Sequence, residues 1–89
     1  MIDATRLNRI RWRARRGLLE NDIVLEKYFN QHAHSMSEDD IAGLDALLEL
    51  SDSDLLDLVM ARKELSDFSM AQAVKVPTAQ VLSILRSIH

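Results

Sequence analysis

Apolar positions recur along this chain with helical rather than strand spacing. In residues 4–16, Leu7, Ile10 and Ala14 fall three and four apart and share one side, which Leu18 extends. Arg6, Arg9, Arg13 and Arg16 keep the same spacing on the opposite side, with Trp12 near the border of that stripe. Gly17 stops or bends this first helix, because glycine accepts the positive φ of a helix C-cap. A second helix is predicted from about Leu18 to Gln31, with Leu19, Ile23 and the run Leu25 to Phe29 on its buried side. His32-Ala33-His34-Ser35 is a polar break.

Ser37 followed by Asp40 resembles a capping box just ahead of Ile41, Leu44, Leu47 and Leu48, which predicts a third helix. Ser51-Asp52-Ser53-Asp54 offers several N-cap side chains, so a short fourth helix is expected from near Ser53. Leu55, Leu56, Leu58 and Val59 are apolar almost all round, which implies deep burial. Residues 62–76 carry no clear period, and Phe68, Met70 and Val74 are expected to cover the core loosely. Pro77 forces Val76 out of the α region and suits the first turn of a last helix, striped by Val81, Ile84, Leu85 and Ile88. There is no β alternation and no internal repeat. The expected fold is all-α, a small bundle of about five short helices in a single domain over residues 1–89.

With 89 residues, 47% of them hydrophobic and 28% charged, the chain is an ordinary candidate for one small globular core. It has no cysteine, which excludes disulfides, thiolate catalysis and cysteine zinc sites. The basic start has no apolar run behind it to form a signal peptide, and its arginines lead straight into the junction at Gly17, against a transit peptide. No segment approaches the roughly 20 apolar residues of a membrane span. The expectation is a soluble cytoplasmic protein without membrane insertion.

The net charge of -3 hides a split. Arginines at 6, 9, 11, 13, 15 and 16 face only Asp3 within the first 16 residues, whereas Glu38 to Asp57 holds eight carboxylates and no Lys or Arg. Such asymmetry marks a binding face or pairs one end of the fold with the other.

The focus is Arg15-Arg16-Gly17-Leu18-Leu19-Glu20. Local chemistry explains part of it: arginines suit a helix C-terminus, Glu20 suits the first turn of the next helix, and Gly17 is the stop between them. An Arg16–Glu20 pair contributes only about 0.2–0.5 kcal/mol. Neither effect accounts for a whole arginine face with an indole beside it, and Arg and Trp are the residues most enriched in binding hot spots. Guanidinium forks select carboxylates and phosphates. Nucleic acid is one candidate, opposed by the net acidity and the lack of a second basic patch; a folded partner with acidic groups or a bound dinucleotide is the other.

The remaining residues offer no chemistry of their own. His32 and His34 diverge on a helix and lack further ligands at metal spacing. The acidic run has no EF-hand spacing. There is no nucleophile elbow and no glycine-rich phosphate loop. No catalytic residue, resident cofactor or metal is assigned to this chain.

Arg16-Gly17-Leu18-Leu19-Glu20 resembles the RGxxE signature of the FAD assembly factor SdhE family, whose eukaryotic counterpart is succinate dehydrogenase assembly factor 2. Ile10-Arg11-Trp12, Asp22, Tyr28-Phe29, Ser37 to Asp40, Leu47-Leu48-Glu49 and Asp52 to Leu55 are similar to the family at matching places. The likeness covers roughly residues 6–60. Ser53 stands where the family often has proline, Leu58 where it often has an aromatic, and the tail from Ala61 matches poorly.

The resemblance implies a five-helix, non-enzymatic assembly factor of the bacterial cytoplasm. Such a protein helps attach FAD covalently to the flavoprotein subunit of succinate dehydrogenase, and in some bacteria of fumarate reductase. The FAD is the partner's, and the linkage joins a partner histidine to the flavin 8α carbon. Carried over to this sequence, the partner-binding residues are Arg9, Trp12, Arg13, Arg16, Gly17, Glu20 and Asp22. The alternative is a small nucleic-acid-binding or antitoxin-type module that uses the arginine stripe.

Overall fold

The computed structural model describes residues 3–15 and 17–89; Met1, Ile2 and Arg16 lie outside the described residues, and with Arg16 the first position of the Arg16–Glu20 motif. Five α-helices follow in order: α1 (Ala4–Arg13), α2 (Leu19–His32), α3 (Glu38–Leu48), α4 (Asp52–Val59) and α5 (Gln72–Ile88), with a 3-10 turn at Leu65–Asp67. Among the described residues there is no strand, and no helix is long and apolar enough to cross a membrane.

Local chemistry sets most helix starts. The Asp3 carboxylate accepts the Arg6 N–H at 2.8 Å and caps α1. The capping box forms as its spacing predicts: the Asp40 N–H donates to the Ser37 hydroxyl at 3.2 Å, and the Ser37 N–H donates to the Asp40 carboxylate at 2.9 Å. Ser51 caps α4 through the Asp54 N–H, so that helix starts at Asp52, just ahead of the expected Ser53. At its far end the Ala61 N–H donates to Leu58 and the Arg62 N–H to Asp57, a Schellman closure that holds Ala61 at φ 59°.

α5 packs on α2, α3 and α4, most extensively on α3. Leu44 and Leu47 from α3, Leu58 from α4 and Val81 and Leu85 from α5 are fully buried, with Tyr28 and Phe29 of α2 stacked edge to face beside them. Each such leucine contributes about 1.5–3 kcal/mol by leaving water. The Arg86 side chain ties the end of α5 to the end of α4, donating to the Leu58 carbonyl at 2.7 Å and the Lys63 carbonyl at 3.0 Å.

Several expectations are corrected. α1 ends at Arg13 rather than running to residue 16. Leu19 and Ile23 are exposed, and the buried side of α2 is instead Asn21, Val24, Leu25, Tyr28 and Phe29. α2 carries apolar residues on more than one side, so spacing alone does not choose between them. Leu56 is only half-buried, on the outer side of α4. Pro77 lies inside α5, six residues in, and not in its first turn. A proline there removes one helical hydrogen bond, which is disfavoured by itself. The continuous packing of Thr78, Val81, Leu82 and Leu85 against the rest of the core outweighs that loss. The tail from Ala61 is thus part of the scaffold.

Candidate functional site

The α1–α2 hairpin turns on a few residues. The Ala14 N–H donates to the Ile10 carbonyl at 2.9 Å and the Arg15 N–H to the Trp12 carbonyl at 3.1 Å, which closes α1. Gly17 follows at φ 90°, a conformation that L side chains rarely adopt. A Cβ built there meets nothing within 4 Å, so backbone conformation and not space reserves the position for glycine. Leu18 is extended and caps α2 without a side-chain bond, and Glu20 and Asp22 place negative charge at the positive end of the α2 dipole. Behind them the buried Asn21 amide donates to the Asp52 carbonyl at 3.0 Å and fixes the start of α2 against the start of α4.

The described arginines of α1 divide between two jobs. Arg6 pairs with Glu38, and Arg13 with Asp45 and Glu49, so this edge of α1 is clasped to the acidic run of α3. The Arg6 guanidinium hydrogen-bonds Glu38 and holds its carboxyl below the usual range, and Glu38 in turn raises Arg6. The charge split seen in the sequence is therefore partly satisfied inside the fold. Arg9 and Arg15 are exposed and form no ion pair with another described residue, while Arg11 lies 5.3 Å from the centre of the Phe29 ring.

On its other edge α1 faces α2 across an open cleft of about 640 Å³. Asn8, Arg11, Trp12 and Arg15 form one wall; Asp22, Leu25, Glu26 and Phe29 form the other. Asn8, Arg11 and Trp12 share one face of α1, and Arg15 continues that line just past the helix end; Asp22, Leu25, Glu26 and Phe29 repeat at i, i+3, i+4 and i+7 on one face of α2. Cations stand on the α1 wall and carboxylates on the α2 wall. Trp12 is 76% exposed at the rim. The neighbouring surface of α2 is apolar, with Leu19 70% and Ile23 45% exposed one turn apart. Glu20 borders a shallower depression of about 200 Å³ beside Ile23, Lys27 and Ile88.

Of the sequence-predicted site residues, Trp12 and Asp22 meet in the cleft, Gly17 forms the bend, Glu20 lies on the far flank of α2, Arg9 is exposed on α1, and Arg13 is engaged with α3. Arg16 lies outside the described residues. The sequence reading passed over Asn8, Arg11, Arg15 and Glu26 as cleft residues, although the 8, 11, 12, 15 spacing was there to be found. Among the described residues no group of three or more His, Cys, Asp or Glu is placed to hold a metal ion.

The profile of the family described as flavinator of succinate dehydrogenase matches residues 8–79, most of the chain. The chain belongs to that family. Proteins named FAD assembly factor SdhE are similar to it along nearly their whole length. One from Ralstonia nicotianae is 49% identical over 87 residues, covering 97% of this chain and 86% of its own. One from Vibrio cholerae is 35% identical over 86 residues, covering 97% of this chain and all of its own, and one from Pseudomonas aeruginosa is 33% identical over 76 residues, covering 85% and 90%. No solved structure gives a significant match. The flavinator match continues past Ala61 into the first half of α5, beyond the limit expected near residue 60. These relatives are named as assembly factors and not as enzymes, in line with a sequence that offers no catalytic residue set.

Proposed function

We propose that this protein acts in the cytoplasm on the immature flavoprotein subunit of succinate dehydrogenase, and on that of fumarate reductase where one is present, to promote covalent attachment of FAD. It does so by docking through the outer surface of the α1–α2 hairpin. The observation that carries this reading is the exposure of Trp12 and Leu19 on either side of the Gly17 bend. Large apolar side chains without a role in the core, rimmed by Arg9, Arg15, Glu20 and Glu26, are the composition of a protein interface.

The chemistry divides accordingly. This chain supplies no nucleophile; the bond forms between a histidine of the flavoprotein and its own FAD. The helper's contribution is to hold a partner conformation in which those two groups are aligned, and orientation of that kind supplies several kcal/mol without a covalent step on the helper. Gly17 keeps the bend free of a side chain, so the partner's backbone can approach closely. The carboxylates of Asp22 and Glu26 on one wall of the cleft disfavour a pyrophosphate there. In this reading the FAD is the partner's.

The test is in-gel flavin fluorescence of the flavoprotein subunit produced together with the chain. Glu20→Ala and Gly17→Arg are expected to remain helical and to abolish the covalent flavin. Normal flavin attachment with both variants would remove the hairpin from the mechanism.

A further inference from the structure

The α1–α2 cleft has a polarity that general docking does not require. Arg15 stands on the α1 wall and Glu26 on the α2 wall; both are exposed, and neither forms an ion pair with another described residue. Between them Leu25 and Phe29 form the bottom, and the Trp12 indole stands at the rim. Two opposite charges facing one opening without closing on each other suit a ligand that brings its own charges in the reverse order. A volume of about 640 Å³ has room for a short run of side chains rather than for a docked helix.

We propose that the cleft seats a short segment of the flavoprotein in which an acidic and a basic residue flank a large apolar one, the acid held at Arg15 and the base at Glu26. This rests on the reading that the hairpin engages the flavoprotein, and adds to it the direction in which the partner chain crosses the hairpin. The apolar side chain lies against Trp12. A segment threaded the opposite way sets like charges against each other on both walls and is rejected. The split into one basic and one acidic wall thus selects orientation as well as partner.

The test is equilibrium binding of the full chain to the flavoprotein subunit carrying noncovalent FAD, with helicity of each variant checked by circular dichroism. Arg15→Glu and Glu26→Lys are each expected to weaken binding about tenfold or more, and the double variant by about the product of the two losses. Recovery of wild-type affinity in the double variant would mean that the two residues serve each other, and overturns the proposal. If both single variants bind normally while Leu19→Asp binds weakly, the cleft is not the seat but the hairpin remains the docking face. If Leu19→Asp and both cleft variants all bind as the wild type does, the docking face itself is elsewhere and both readings fall.

Discussion

Gly43 of α3 lies directly against the backbone of Pro77 in α5: a Cβ on Gly43 would stand 2.5 Å from the Pro77 carbonyl oxygen and 2.9 Å from the Thr78 nitrogen. The missing side chain at 43 lets the two helices approach closely where α5 carries its proline. That contact accounts for the glycine.

Gly43→Ala is therefore expected to destabilise the fold. Alanine gains about 1 kcal/mol of helix propensity over glycine, but overpacking against backbone that cannot rotate away costs about 1–3 kcal/mol. The net expectation is a loss of up to about 2 kcal/mol, read from the urea midpoint at unchanged slope. A variant as stable as the wild type would mean that α3 and α5 are not in this contact.

The opposite sign is expected at Ala61. This residue holds φ 59° within the Schellman closure of α4, a conformation that costs a residue with a Cβ about 1–2 kcal/mol. Ala61→Gly relieves that strain and is expected to raise stability by about 1 kcal/mol, less the extra entropy glycine gives the unfolded chain. Thermal unfolding of the two proteins side by side measures it.

Tyr28 makes stability depend on pH in the alkaline range. Burial, reinforced by the charge of Asp40, pushes its hydroxyl up to about 12. An unfolded tyrosine ionises near 10. Between those values the folded state keeps a proton that the unfolded state has lost, so stability that is complete below pH 10 drains away as the pH rises toward 12. Urea midpoints across pH 8–12 should show this slope, and Tyr28→Phe should reduce it, leaving the part due to Lys63, whose ammonium the Asp54 carboxylate holds above its usual range. Tyr28 is the only tyrosine, so the absorbance of its phenolate reports the same titration directly.

What the sequence disclosed was local. The Ser37–Asp40 capping box, the Gly17 bend and the apolar stripe of α1 depend on neighbours within a turn, and they fold as their spacing predicts. What it concealed depends on contacts between distant segments. Leu19 and Ile23 were expected inside because α2 is apolar on more than one side; the placement of α5 and α4 against it decides which side is covered. Pro77 was expected to start a helix because local propensity disfavours it within one, and packing on α3 overrides that preference. The arginine stripe was legible as a feature, but its division between a clasp on α3 and a cleft against α2 required both partners to be in place.

The claim on which the functional account depends is that the outer surface of the α1–α2 hairpin meets the flavoprotein. Amide hydrogen exchange of the chain, free and bound to the flavoprotein subunit, measures this most directly. The account predicts added protection along residues 11–29, centred on the Gly17 bend, with the exposed side of α5 around Val76 unchanged. Protection confined to α5 and the α4 end, with the hairpin exchanging as in the free chain, would contradict it.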